Sequence, residues 1–133
     1  MTLLGFDYGA RRIGVAVGQT VTHTASPLAS IRVLDREPDW TVLARLVREH
    51  DPSVFVVGLP VTADGTNHPL RKPVLSFSKQ LQVRYRLPVY LIDERLSSHE
   101  ASSRVRGGDD LDATAAQVIL ETWLNENRAQ RRG

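Results

Sequence analysis

Carboxylates that could share a chemical task occur in three widely separated segments of the sequence. Asp7 ends an apolar run that begins at Leu3, and a turn with a glycine and two arginines follows it. Glu94 follows Asp93 at the end of a later apolar run, and Asp112 opens the last amphipathic segment. Carboxylates brought together repel one another unless a cation lies between them. Oxygen ligands of this kind suit Mg²⁺ or Mn²⁺, and a pair of such ions supports phosphodiester hydrolysis by activated water.

Five apolar runs predict the strands that must position these acids. The first two runs flank the glycine-bearing turn and predict an antiparallel hairpin. In the third run, Pro27 indicates an edge position or a break. The last two are short and rich in β-branched residues, which is typical of buried parallel strands. The predicted strands are Leu3–Phe6, Ile13–Gly18, Thr22–Val33, Val54–Val57 and Val89–Ile92.

Helical signals separate or follow these strands. The cluster 35–39 predicts a helix start with Pro38 at the first helical position, and Pro52 ends this helix just after His50. A second helix carries apolar residues from Leu70 to Leu81, and Pro73 leaves its start undefined. Ser97 and Glu100 form a capping box for a third helix that Gly107 and Gly108 close. The last helix is predicted from Leu111 to Asn127, with a frayed tail over 128–133.

This order of elements predicts one α/β domain over residues 1–133, with a five-stranded mixed sheet and helices on both faces. The first, fourth and fifth strands should run the same way. Because sites in such sheets lie beyond the carboxyl ends of the strands, Asp7 and Glu94 should meet at one edge, about 10 Å apart at the backbone. Gly58 ends the strand between them without a side chain and leaves room for both.

Each acid also has an ordinary structural interpretation. Asp7 could cap the turn that follows it, and the Asp93–Glu94 pair could simply be solvated. Since these two neighbours should face opposite sides of a strand, only one can point at Asp7, and the longer Glu94 reaches further. Acids near a helix N-terminus, such as Asp112, commonly pair with free N–H groups. Asp109 and Asp110 lie close enough in sequence to replace it.

Composition excludes several classes of protein. The apolar fraction of 41% and charged fraction of 24% are ordinary for a globular domain. The absence of cysteine rules out disulfides and thiolate metal sites, and no apolar stretch is long enough for a membrane span. We therefore expect a cytoplasmic protein that does not associate with membranes. The net charge of +2 supports nucleic-acid binding only weakly, so the placement of the arginines matters more than their number.

Four sequence blocks resemble a known family. "GFDYGARRIGVAVG", "VVGLPVTADGT", "LIDERLSSHEA" and "DATAAQVIL" are similar to the signature blocks of the YqgF family, in the same order and over nearly the whole chain. Its members are called pre-16S rRNA nucleases or Holliday junction resolvase-like proteins and have a ribonuclease H-like fold. The resemblance implies that Asp7, Glu94 and Asp112 are catalytic acids and metal ligands.

The same resemblance implies a hydrolase, a nuclease that uses two Mg²⁺ or Mn²⁺ ions and matures the 5′ end of 16S rRNA in ribosome biogenesis. Arg11 and Arg12 could then neutralise substrate phosphate, or they could be ordinary exposed turn residues. Arg95 could bind substrate or pair with a neighbouring acid. A loop at the same sheet edge supplies further candidates for substrate binding: Thr62, Asp64, Thr66 and Asn67.

Other functions remain open at the level of sequence. A Holliday junction resolvase would act on four-way DNA, and its symmetric substrate would favour a homodimer, which processing of one rRNA end would not require. A non-catalytic module would bind RNA or single-stranded DNA without needing the acids. An actin-like or sugar-kinase-like ATPase also pairs a strand-ending Asp with a glycine hairpin, but needs a second domain of similar fold.

Overall fold

The computed structural model describes residues 1–60, 68–93 and 111–130. Within them, a mixed sheet has the strand order β4-β3-β2-β1-β5-β6. Strand β1 pairs antiparallel with β2 and parallel with β5, and β5 pairs parallel with β6. The elements are β1 (Thr2–Tyr8), β2 (Arg12–Gln19), β3 (Thr24–Leu34), β4 (Glu37–Pro38), α1 (Trp40–His50), β5 (Val54–Leu59), α2 (Arg71–Tyr85), β6 (Val89–Asp93) and α3 (Leu111–Gln130).

Helices cover both faces of this sheet, as the sequence predicts. On one face, α1 and α2 pack over a core that includes Phe6, Phe55 and Phe77. On the other face, α3 packs over Leu3 and Val56 through its own apolar residues. The strands β1, β2 and β5 contribute alternate residues to the two cores, because successive side chains of a strand point to opposite faces. The predicted α/β architecture and the common direction of β1, β5 and β6 are confirmed.

The number of strands differs from the prediction, because the sheet has six strands rather than five. The chain reverses at Asp35 and Arg36, whose φ angles are 51° and 65°, and returns along β3 as the short strand β4. The cluster expected to begin a helix therefore forms a hairpin first. Pro38 lies in β4, where its missing N–H is acceptable at a sheet edge, and α1 begins at Trp40. Asp39 caps that helix by accepting hydrogen bonds from its first amides.

Two prolines are accommodated without breaking their elements. Pro27 lies within a continuous β3, and the register with β2 shifts between Val15 and Ala16, next to it. Pro73 is the third residue of α2, where an N–H has no intrahelical partner in any case. The helix predicted to begin at Ser97 lies outside the described residues. No described helix combines the length and the apolar character that crossing a membrane requires.

Candidate active site at the carboxyl edge of the sheet

Asp7 lies near the carboxyl end of β1 and is partly buried. Leu3 lies four residues earlier on β1, so its side chain points to the same face as that of Asp7. Since Leu3 belongs to the core under α3, Asp7 faces the α3 side of the sheet. The parallel pairing of β1 with β5 ends at Phe6 and Val57, which places Asp7 beside Gly58. The glycine has no side chain to fill this side of the sheet, as the sequence predicts.

The start of α3 is held against the strand next to Asp7. Asp7 is paired with Gly14 in the antiparallel β1–β2 ladder. A methyl group built on Gly14 would overlap the backbone carbonyl of Asp112 and crowd the amide of Ala113. Only a glycine at this position allows so close an approach of helix and strand. The contact brings Asp112, near the N-terminus of α3, over the residue that pairs with Asp7.

The Asp112 carboxylate is oriented by two polar neighbours. The hydroxyl of Ser30 on β3 donates a hydrogen bond to Asp112 Oδ2 across 3.4 Å. The Arg12 guanidinium lies 3.8 Å from the same oxygen, at the start of β2. Both groups of this ion pair are open to solvent, with 56% of the arginine side chain and 30% of the aspartate side chain exposed. The carboxylate is therefore positioned by the sheet while remaining accessible to a ligand.

A cavity of about 340 Å³ opens beside this carboxylate, and the β1–β2 turn forms its other wall. The turn closes through a hydrogen bond of 2.8 Å from the Gly9 amide to the Arg12 carbonyl. A side chain on Gly9 would come within 2.7 Å of that carbonyl oxygen, so this position needs a glycine. Arg11 and Arg12 line the cavity together with Asp112, which gives it both cationic and carboxylate groups.

Several predicted site residues lie outside the part of the chain that the structure describes. Glu94 and Arg95 lie outside the described residues, as do the loop candidates Thr62, Asp64, Thr66 and Asn67 and the acids Asp109 and Asp110. Asp93 ends β6 next to Ile92, which belongs to the core under α3, so Asp93 faces the opposite side of the sheet from Asp7. Within the described part of the chain, no three carboxylate or histidine side chains are grouped so as to hold a metal ion. The role of the three acids as metal ligands stays a prediction.

Two residues of this site were not singled out by sequence reasoning. Gly14 lies inside an apolar strand pattern, where a glycine often marks a close backbone approach, and this signal could identify it. Ser30 carries no comparable signal, because a serine in an exposed strand is ordinary. Its importance comes from the packing of β3 beside α3, which places Ser30 next to Asp112.

Comparison with known proteins adds a second line of information. A relative from Hydrogenovibrio crunogenus, named "Putative pre-16S rRNA nuclease", is 48% identical over 124 residues and covers 92% of each chain. A relative of the same name from Xanthomonas campestris pv. campestris is 47% identical over 135 residues, covering 93% of this chain and 87% of its own length. These similarities confirm the resemblance to the YqgF family and speak against an ATPase half-domain.

Solved structures share the fold at low sequence identity. "T. thermophilus RuvC in complex with Holliday junction substrate" superposes with a TM-score of 0.60 at 15% identity, covering 97% of this chain and 96% of that chain. The fowlpox virus Holliday junction resolvase gives 0.59 at 13% identity, covering 95% and 99%. They confirm the ribonuclease H-like resolvase fold. Because the family model described as "RuvX: Holliday junction resolvase" matches residues 1–126, this chain belongs to the RuvX family of resolvase-like nucleases.

Proposed function

We propose that this protein is a divalent-metal-dependent nuclease that hydrolyses phosphodiester bonds of RNA, acting in the 5′-end processing of pre-16S rRNA. The observation that carries the proposal is the close contact of Asp112 with Gly14, the residue paired with Asp7. It brings β1 and α3 together, although their carboxylate residues Asp7 and Asp112 are 105 positions apart in the sequence. The names of the relatives from two organisms support the substrate class.

The donor set of the site fits a hard divalent cation. Asp7 and Asp112 offer carboxylate oxygens at one edge of the sheet, and Glu94, which follows the last residue of β6, is the third proposed ligand. Carboxylates with water in the remaining positions are what Mg²⁺ and Mn²⁺ prefer. When bound, a pair of such ions supplies an activated water and stabilises the leaving oxygen, which leaves a 3′-hydroxyl on the product.

The remaining residues bind and orient the substrate strand. Arg11 and Arg12 line the cavity beside Asp112 and are exposed, so their guanidinium groups can contact phosphate oxygens in bidentate fashion. Ser30 donates a hydrogen bond to Oδ2 of Asp112 and so orients the carboxylate. Thr62, Asp64, Thr66, Asn67 and Arg95 are proposed to contact the strand from the same edge.

Replacing Asp7 with Asn tests the catalytic assignment. The substitution keeps the size and shape of the side chain but removes the charge that would hold the cation. We expect cleavage of a precursor-rRNA 5′ fragment to fall by at least about 100-fold, as it should for wild-type protein in excess chelator. Binding of the same fragment and the unfolding midpoint should change little. Asp51→Asn is the matched control, because Asp51 is an exposed aspartate at the end of α1.

Wild-type rates in Asp7→Asn, or in the presence of chelator, would falsify the metal-dependent mechanism. If the wild-type protein does not cleave the fragment and Asp7→Asn still binds it normally, the result would instead support a non-catalytic binding module. Loss of folding in Asp7→Asn is detected by circular dichroism. Asp112→Asn then provides the independent test: cleavage should fall in the same way because a proposed ligand loses its charge, and folding should be retained because the side chain is partly exposed.

The description of the matching family favours a second candidate substrate, a four-way DNA junction. Cleavage of a precursor-rRNA 5′ fragment, single-stranded DNA and a mobile junction should be compared with and without Mn²⁺. Preferential cleavage of the rRNA fragment is expected. Symmetric cutting of the junction alone, by a protein that sediments as a dimer, would replace the proposed substrate with branched DNA.

A further inference from the structure

A pair of cavities lies on the other side of the β1–β2 turn from the candidate active site. They have volumes of about 310 and 380 Å³, within the range of ligand-binding clefts, and both are lined by Tyr8, Arg36, Lys72 and Pro73. Tyr8 follows Asp7 on β1 and therefore faces the opposite side of the sheet. We call this pair the hairpin cleft, because the β3–β4 hairpin and the start of α2 form its walls.

The charge of the hairpin cleft is predominantly positive. Arg36 and Lys72 come from opposite walls, and both side chains are exposed. The first turn of α2 contains no acidic residue. In the described part of the chain, the N-cap residue Leu70 supplies no side-chain cap and His68 Nδ1 accepts a hydrogen bond from the Leu70 amide just before the helix, so the positive end of the helix adds to the same sign. One carboxylate, Glu37, lines the smaller cavity, and it accepts a hydrogen bond of 3.3 Å from the Trp40 indole nitrogen. An anion would be attracted to the two cations of this cleft.

Arg36 is held at this place by an unusual backbone conformation. Its φ of 65° and the φ of 51° at Asp35 form the tight reversal between β3 and β4. The Val33 amide, just before the reversal, donates a hydrogen bond of 2.9 Å to the Arg11 carbonyl in the β1–β2 turn. The two turns are thereby tied together. Arg11 and Arg36 belong to adjoining turns and line cavities on the two sides of the β1–β2 turn.

The hairpin cleft and the active-site cavity meet at a single small residue. Ala10 lines both the larger cavity of the cleft and the cavity that contains Arg11, Arg12 and Asp112. A chain of phosphates could therefore pass over the turn from one cavity to the other, meeting cations on both sides. A free nucleotide would use only one of the two cavities, so the continuity favours a polymer.

We propose that the hairpin cleft binds a phosphate of the substrate strand that flanks the cleaved bond, through Arg36 and Lys72. This inference rests on the proposed nuclease function for the identity of the strand. It assigns the cleft a separate task, which is to hold the strand across the β1–β2 turn. The cleft contributes affinity and register to binding and takes no part in the chemistry.

The test measures binding of fluorescein-labelled oligouridylate to the Asp7→Asn protein, in which the strand is not cut. Arg36→Asn and Lys72→Gln are combined, because asparagine tolerates a positive φ and both side chains are exposed. Loss of a phosphate contact on a single strand should lower the slope of log affinity against log salt by about 0.7, so the double variant, which loses the one phosphate held by the cleft, should lose about 0.7. Arg48→Gln is the control, since it removes an exposed cation from α1 that lines neither cavity.

A length series separates the strand from other sources of phosphate. As the oligouridylate is shortened, its affinity for the protein with an intact cleft should drop at the length at which the strand no longer reaches the cleft. The double variant should show no drop in affinity at that length. Equal salt slopes in the double variant and Arg48→Gln would overturn the proposal. The proposal would also be overturned if binding of inorganic phosphate or uridine monophosphate depended on Arg36 and Lys72 while binding of the oligouridylate did not. Neither result affects the assignment of Asp7, which depends on cleavage alone.

Discussion

At the scale of single residues, two similar arginine–carboxylate ion pairs on this surface can have different functional roles. Arg12 lies 3.8 Å from Asp112, and Arg45 lies 3.7 Å from Glu49, with 56% of each arginine side chain exposed. Exposed ion pairs of this kind contribute about 0–1 kcal/mol to stability. What distinguishes Arg12 is its place in the cavity beside Asp112, whereas Arg45 lies on the outer face of α1.

The matched variants Arg12→Gln and Arg45→Gln should therefore separate binding from stability. We expect both to change the free energy of unfolding by less than about 1 kcal/mol, because each removes an exposed pair. Only Arg12→Gln should lower the salt slope of oligouridylate binding, by about 0.7, because only Arg12 contacts phosphate in the proposed complex. Urea denaturation and fluorescence anisotropy measure the two effects. Equal slopes in the two variants would show that Arg12 is an ordinary turn residue.

At the scale of elements, the approach of α3 to β2 determines where Asp112 lies. Gly14 and Gly18 both occur on β2, on the face toward α3, and they differ in what an added methyl group would meet. At Gly14 it would overlap the backbone of Asp112, which cannot move without the helix. At Gly18 it would lie 3.2 Å from a methyl of Leu120 and 3.3 Å from the Thr24 carbonyl oxygen, which small adjustments can accommodate.

Gly14→Ala should consequently destabilise the protein by about 1–3 kcal/mol, the range for overpacking, and should also lower the cleavage rate because Asp112 is displaced. Gly18→Ala should cost less than about 1 kcal/mol and leave cleavage close to wild type. Chemical denaturation and cleavage of the rRNA fragment under identical conditions measure both quantities. A Gly14→Ala protein as stable and as active as Gly18→Ala would mean that α3 does not need this close contact.

The elements also show what the sequence could predict and why the rest escaped it. Periodicity and turn residues identify β1, β2, β5 and β6, because each is a compact apolar run with clear ends. The β3–β4 reversal was not predicted, because Asp35 and Arg36 adopt positive φ without a glycine to signal it. Proline before an apolar helical stretch favours a helix start, and here the pairing of Pro38 with Val33 overrides that local preference.

The candidate site divides in the same way. The placement of Asp7 at the carboxyl edge follows from strand direction, and the space beside it follows from Gly58. The contact between Gly14 and Asp112 depends on how α3 packs over the sheet, which no local pattern in either segment encodes. The hairpin cleft depends on two walls distant in sequence, so no local pattern identifies Arg36 and Lys72 as neighbours.

At the scale of the whole molecule, one sheet is shared by two separate cores. Trp40 packs in the core on the α1 and α2 side, where its ring stacks on Phe77 at a centroid distance of 5.7 Å. Trp123 packs against the core under α3, and its ring centroid lies 5.5 Å from that of Tyr90. The same strands supply side chains to both cores. Loss of either helix layer would expose the apolar side chains on one face of these strands and so destabilise the strands on which the other layer packs. The two cores should therefore unfold together, in keeping with the prediction of one domain.

The two tryptophans make this prediction measurable. Trp123→Phe leaves Trp40 as the reporter of one core, and Trp40→Phe leaves Trp123 as the reporter of the other. In each variant, the urea midpoint from tryptophan fluorescence should coincide with the midpoint from far-ultraviolet circular dichroism, because unfolding is a single transition. A Trp123 transition at lower urea than the loss of secondary structure would instead show that α3 detaches first. Since α3 carries Asp112, cleavage would then be lost while most of the sheet remained folded, and the active site would depend on the weaker of two cooperative units.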